Sequence, residues 1–340
     1  MATALPFPSR LAPLAEALMQ YTMLGRTGLK VSVAGLGCGG NSRLGLGTLT
    51  FDQSADLVRE ALDLGINLID TAVAYGTEEI VGAAISSRPR DSVVLSTKSY
   101  ISDATGPFSG AKVVESLEGS LGRLKTDHVD IFHLHGLSPA LYDHAMAEII
   151  PALLEAKQQG KLRHIAVSET SPRDPEHAML ARAVEDPVWE VVMLGFHMMN
   201  QNARPMLARC LARGVGTLCM FAVRNIFSRP GLLQQTIREL SMEGKLPAAL
   251  AEDPDPLGFL IHPGGAESLT DAAYRFARHE PGMDVVLFGT GNRAHLKENI
   301  ASILRPPLPV ADVARLGALF GHLVGVGFDL PDHVQKAKPA

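Results

Sequence analysis

The chain has 340 residues, a net charge of −5, and 46% apolar against 20% charged residues. That composition can bury a large core and excludes a disordered chain. No basic stripe points to nucleic acid, no apolar run approaches the ~20 residues of a membrane span, and three cysteines without disulfide or metal-ligand spacing imply a reducing, cytoplasmic setting.

Residues 1–20 lack the charged start and continuous apolar core of a signal peptide. Leu11, Leu14 and Leu18 share helical spacing and predict a short amphipathic surface helix in this N-terminal extension. From Met23 the pattern alternates with glycine at the turn, predicting a hairpin that leads into a first strand over 33–36. Gly39-Gly-Asn-Ser-Arg-Leu-Gly45 is a loop with enough glycine to approach a ligand closely. A helix over 54–64, with Gly65 at its end, runs at once into a short buried strand over 66–70. Thr77 is placed to cap the next helix, with Glu78 and Glu79 in its first turn, where the helix dipole favours anions.

The alternation continues with strand 92–98, helix 111–124, strand 128–135 and helix 141–159, ended by Gly160. Strand 163–168, helix 175–184, strand 190–195, helix 203–212 and strand 215–220 follow. After an irregular insert over about 224–265 come helix 268–279, strand 284–288 and a last helix over 292–304. Eight strand-helix units with few breaks predict one parallel (β/α)8 TIM barrel over 21–325, with a tail at 326–340. A doubly wound open sheet is the rival, lowered because no Gly-x-Gly-x-x-Gly turn follows a first strand.

In such a barrel the carboxyl ends of the strands share one mouth. Asp70, Lys98 and His135 end strands two, three and four, and Tyr75 lies in the loop after strand two, so four titratable groups converge on one rim. A carboxylate ending an apolar strand needs a partner, and Asp70 with Lys98 could be a plain buried ion pair. With Tyr75 and His135 beside them, a site becomes the stronger reading. A free tyrosine, pKa about 10, exchanges protons poorly at neutral pH. A lysine ammonium beside it would lower that value, with Asp70 holding the lysine charged. His135 could donate a hydrogen bond to a carbonyl oxygen. The set suits polarising a carbonyl and protonating an alkoxide, and it needs a separate hydride donor. His133 faces the same way, deeper, and reads as a satisfied core histidine or one that supports the site from behind; Asp130 reads as structural. Gly289, Thr290, Gly291 and Asn292 open the last helix, a frequent phosphate position in barrels, or form an ordinary turn with Asn292 as N-cap.

Five segments in order resemble the aldo-keto reductase superfamily, over most of the chain from Leu24 to Asn299. They are Ile69-Asp-Thr-Ala-Val-Ala-Tyr-Gly76 with Glu79 and Gly82, Leu95-Ser-Thr-Lys98, Asp130-Ile-Phe-His-Leu-His135, Arg163-His-Ile-Ala-Val-Ser168 and Phe288-Gly-Thr-Gly-Asn-Arg-Ala-His-Leu-Lys-Glu-Asn299. The resemblance implies a barrel that binds a nicotinamide cofactor, usually NADPH, and a tetrad of Asp70, Tyr75, Lys98 and His135 with Tyr75 as general acid. It implies that Ser168 contacts the nicotinamide carboxamide, next to Glu169 where asparagine is usual. Met193 stands where glutamine is frequent, and Met220 or Phe221 where an aromatic stacks on nicotinamide. Arg293, His295 and Lys297 could meet a 2′-phosphate, with Asn299 closing the motif. Gly289 replaces the usual lysine, so NADP is preferred over NAD only modestly. The expected substrates are small aldehydes, ketones or sugars, with no nucleic acid or membrane partner and an oligomer possible. Two rival functions are a nicotinamide-binding sensor with little turnover, suggested by Glu169 and Met193, and a Schiff-base lyase using Lys98.

Overall fold

The structure, a computed structural model, describes residues 18–329. Its centre is a closed barrel of eight parallel strands: β3 (Ala34–Gly37), β4 (Leu68–Asp70), β5 (Val94–Ser99), β8 (Val129–Leu134), β9 (Leu162–Ser168), β10 (Val191–Gly195), β11 (Gly216–Met220) and β12 (Val285–Phe288). Pairing follows chain order, and β12 returns to β3 through Val286–Ala34 and Phe288–Leu36. Two short hairpins stand apart from it. β1 (Tyr21–Met23) pairs with β2 (Lys30–Ser32), and β6 (Ser102–Asp103) pairs with β7 (Gly106–Pro107).

Strand side chains alternate, so each strand serves two cores. Leu68, Val94, Ile131, Ala166, Val191, Leu218 and Val285 point inward and fill the barrel with Leu24 and Val31 of the first hairpin. That hairpin plugs the end of the barrel opposite the mouth. Arg26 fixes it there, donating to the carbonyls of Arg213 at 2.9 Å, Pro187 at 2.9 Å and Trp189 at 3.0 Å. Ile69, Leu95, Phe132 and Ile165 point outward into the helix layer. Asp130 closes the same end, accepting from Arg90, Arg163 and the Leu95 backbone N–H. All three cysteines are buried.

Several local expectations change. The insert is largely helical, with helices Asn225–Ser228, Leu232–Met242 and Ala248–Glu252. Ile237 and Leu240 bury one face of the longest, and its pattern is cut short by the prolines around it. The long helix expected over 141–159 runs without a gap from Tyr142 to Gln158 and carries a π-type segment, Ala145–Ile149, just before Pro151. The helix expected over 175–184 is only Ala178–Ala183, because His177 takes a left-handed backbone with φ +57°. Thr77 stands before helix Glu78–Ile85 but does not cap it. Its hydroxyl meets those of Thr71 at 2.9 Å and the Cys38 carbonyl at 3.3 Å. Glu78 is buried, accepting from Thr97 and Arg123. Of the amphipathic helix expected around Leu11, Leu14 and Leu18, only Leu18 lies within the described residues, and it is exposed. Among the described residues no helix is long and apolar enough to cross a membrane.

Candidate active site

The mouth is built on strand parity. Asp70 shares the inward face of Leu68, and Ser96 and Lys98 share that of Val94. The register sets Asp70 beside Ser96 and Lys98 beside His133. Lys98, fully buried, reaches both carboxylate oxygens of Asp70, at 2.7 and 2.6 Å, and the Thr71 carbonyl at 2.8 Å. Those bonds occupy all three ammonium donors. Ser96 adds a fourth contact to the cluster, donating to Asp70 at 2.7 Å.

Tyr75 ends a 3₁₀ turn, Val73–Tyr75, that Gly76 closes at φ +69°. Gly39 lies flat against its ring: a Cβ there would stand 2.5 Å from two ring carbons. Lys98 Nζ lies 5.2 Å from the ring centre, and the His135 ring meets its edge at 5.6 Å and 89°. His135 is itself covered by Tyr100, stacked in parallel at 4.5 Å. The structure therefore brings Asp70, Lys98, Tyr75 and His135 together. Tyr100 belongs to the same cluster and was not among the sequence candidates; Gly39 comes from the glycine-rich loop that the sequence placed close to a ligand. Tyr100 had a readable signal, since two residues past Lys98 it keeps the inward parity.

The electrostatics correct one expectation. Burial raises the Tyr75 phenol well above its ordinary value, and the negative charge of Asp70 adds to this. The Lys98 charge is spent on Asp70, so the phenol stays protonated at neutral pH. Burial and the Lys98 ammonium hold His135 down to about 3, so it is a neutral imidazole. Its Nδ1 is buried without a hydrogen-bond partner. Of the two readings of His133, the satisfied core residue is not what the structure has; it lies behind the site, beside Lys98 in the register. Neither ring nitrogen closes a hydrogen bond of good geometry, and burial, then Lys98, hold it well below its ordinary value.

The remaining candidates spread around the other half of the mouth. The Ser168 hydroxyl, at the end of β9, accepts from Gly136 N–H at 2.9 Å and has only a long contact, 3.5 Å, to the Leu134 carbonyl. Met193 sits beside Ser168 in the register and is buried in the barrel interior. Glu169 turns away from that interior, to His177, Ser171 and the Gly195 N–H. Met220 packs on the inner core, whereas Phe221 takes a left-handed backbone, φ +70°, and its ring turns to Phe328 and Arg224.

Past β12, Thr290 is buried, and the loop holding Gly45 presses on Gly291. Asn292 caps helix Arg293–Leu304, accepting from Ala294 and His295 N–H, so those two amides are already used. Arg293 and Lys297, one turn apart, are exposed and reach Glu60 at 3.4 and 3.3 Å. His295 and Asn299 lie on a different face of the helix.

A closed parallel barrel with titratable groups at one mouth defines the class, and similarity to known proteins narrows it. The model described as "Aldo/keto reductase family" matches residues 35–319. The chain belongs to the aldo/keto reductase family. It is 38% identical over 157 residues to L-galactose dehydrogenase of Arabidopsis thaliana, covering 44% of this chain and 48% of that protein. It thus spans about half the length of that relative. To the uncharacterized oxidoreductase YqkF of Bacillus subtilis (strain 168) it is 27% identical over 291 residues, covering 83% of this chain and 90% of that protein. The solved structure of an aldo-keto reductase from Klebsiella pneumoniae in complex with NADPH shares the fold, with a TM-score of 0.62 and 22% identity, covering 89% of this chain and 95% of that one.

Proposed function

We propose that this protein is an NAD(P)H-dependent reductase of small carbonyl compounds, aldehydes, ketones or sugars, with NADPH the preferred donor. The observation that carries the reading is the buried Asp70–Lys98 pair set against the ring of Tyr75, with a neutral His135 at that ring's edge. The donors around the mouth fit such a cofactor: Ser168 has a weakly used hydroxyl, and Arg293 and Lys297 offer two cations a turn apart for a 2′-phosphate. Met193, Met220 or Phe221 would line the ring end, and Thr290 to Asn292 the far end. When bound, the reduced nicotinamide supplies the hydride.

The chain's own residues do the rest. Tyr75, kept protonated, gives its proton to the substrate oxygen as negative charge builds there. A proton on His135 Nδ1 would be buried without an acceptor, so the Nε2–H tautomer is favoured and Nε2 can donate to the same oxygen. The Lys98 charge, fixed by Asp70, stabilises the phenolate left behind. An ammonium with three hydrogen bonds offers no lone pair, which speaks against Schiff-base chemistry. Glu169 is matched by His177, which removes one reason for suspecting a cofactor-binding protein without turnover.

The test follows absorbance at the reduced-nicotinamide band with a panel of aldehydes, ketones and sugars. Tyr75→Phe should lose roughly 10²–10⁴-fold in kcat, the range for a lost general acid. No turnover by wild type on any substrate, or unchanged turnover in the variant, rejects the reading.

A further inference from the structure

Between the mouth ends of β9 and β10 runs a buried polar chain that the proton chemistry above does not use. Glu169 Oε1 accepts from the Gly195 N–H at 2.7 Å and the Ser171 hydroxyl at 2.7 Å, and Oε2 meets His177 Nδ1 at 2.6 Å. His177 Nε2 meets Asn202 Oδ1 at 3.2 Å. Asn202 Nδ2 donates to the Pro175 carbonyl at 2.6 Å, and Asn200 Nδ2 donates to Asn202 Oδ1 at 2.8 Å. Asn200 Oδ1 in turn accepts from the Gly325 N–H at 2.6 Å. One chain of hydrogen bonds thus ties two strand ends to the loops that follow them and to the segment at Gly325.

The geometry fixes the protonation of His177. Pro175 offers only a carbonyl, so Asn202 must turn its amine there and its oxygen to the imidazole. The other ring nitrogen faces a carboxylate. Both nitrogens therefore donate, and the ring is an imidazolium paired with Glu169, each side chain 1% exposed or less. His177 also holds a left-handed backbone, φ +57°, which persists in a side-chain-bearing residue only where its surroundings over-determine it.

We propose that Glu169 and His177 are positioning residues: a buried ion pair that holds Ser168 and the end of β10 in place for the cofactor, and that loosens this half of the mouth when His177 loses its proton. The inference rests on the nicotinamide-dependent reading above. Around the imidazole stand Glu169, Asn202 and Asp174, whose carboxylate accepts from Ala178 and Met179 N–H. Cys219 of β11 faces Glu169. Burial pulls the His177 pKa down, but the Glu169 bond and charge, with Asn202 and Asp174, outweigh it and leave the value raised. A raised histidine keeps its proton above the ordinary value of about 6.5 and loses it as pH climbs through the raised value, so the loosening belongs to the alkaline side of about 6.5.

The test is the Kd of NADPH, by fluorescence titration of the full chain between about pH 6.5 and about pH 9, with the Tm of each variant as a check on folding. Wild type should weaken about tenfold across that range, the effect of one coupled proton released over one pH unit. His177→Gln should bind weakly at every pH, because Glu169 is left buried without a counter-charge. Adding Glu169→Gln to it should restore binding and flatten the profile. Asn202→Asp, which adds a second carboxylate to the imidazole, should move the alkaline limb to higher pH.

A wild-type Kd that does not change with pH overturns the inference, and so does a double variant with the wild-type profile or with binding no better than His177→Gln. Absence of NADPH and NADH binding by wild type at every pH rejects the nicotinamide reading itself, a separable outcome.

Discussion

Replacing Gly39 by alanine isolates the placement of Tyr75 from its chemistry. The added Cβ would stand 2.5 Å from Cε2 and Cζ of the tyrosine and 2.9 Å from Cδ2. Ordinary carbon contacts lie near ~3.5 Å, so the ring must retreat by about 1 Å. The backbone itself allows the change, since Gly39 is not among the positive-φ glycines. The ring can yield, because Tyr75 itself is only half-buried. Overpacking at such a yielding place should cost about 1–2 kcal/mol of stability. A misplacement of about 1 Å costs roughly 10²-fold in rate, or about 2.7 kcal/mol of barrier. The assay is kcat at saturating NADPH with any carbonyl that wild type reduces, alongside the Tm. Gly122→Ala serves as the control, since an added methyl there meets open space on an exposed helix face. A Gly39→Ala enzyme with full kcat and an unchanged Tm would refute the claim that the Gly39 backbone seats the proton donor.

The two directions of reaction should respond differently to pH. Reduction uses the protonated phenol, which burial and Asp70 favour, so kcat at saturating NADPH should stay level from neutral into mildly alkaline solution. Alcohol oxidation needs the phenolate, so at limiting ionisation its rate should climb about tenfold per pH unit; a level oxidation profile counts against Tyr75 as the proton carrier. Asp70→Asn should cost about 3–5 kcal/mol, because it leaves the fully buried Lys98 charge without its partner. Urea unfolding measures this, and a loss below about 1 kcal/mol would show that water or a neighbour takes over the carboxylate's role.

Much of the barrel was legible in the sequence because its strands are short apolar runs at regular spacing, each followed by a helical pattern. Asp70, Lys98 and His135 could be placed at one mouth from strand ends alone, since parity fixes direction once the strand is found. What escaped were contacts that depend on backbone angles. His177 reaches Glu169, eight residues earlier, from a turn in which its own φ is +57°, and no pattern of residue types shows that. Glu169 consequently read as a misfit in a cofactor site, although its carboxylate serves a neighbouring ion pair. The helices of the insert were hidden by Pro230, Pro247, Pro254 and Pro256, which interrupt the periodicity without preventing short helical pieces. The direction of the Tyr75 shift was missed for another reason: the sequence gives the neighbours of a phenol but not how deeply it is buried.

The interior position of the three native thiols has a practical consequence for spectroscopy. Burial pushes Cys210 and Cys219 up to about 12, and Cys38 higher still, so maleimides and iodoacetamides, which react with the thiolate, find no target on the folded protein. A cysteine introduced at an exposed tip such as Thr105 would take a single dye without prior removal of the native ones. A fluorophore at that hairpin, which begins four residues after Lys98, would report movements of the rim from one known point.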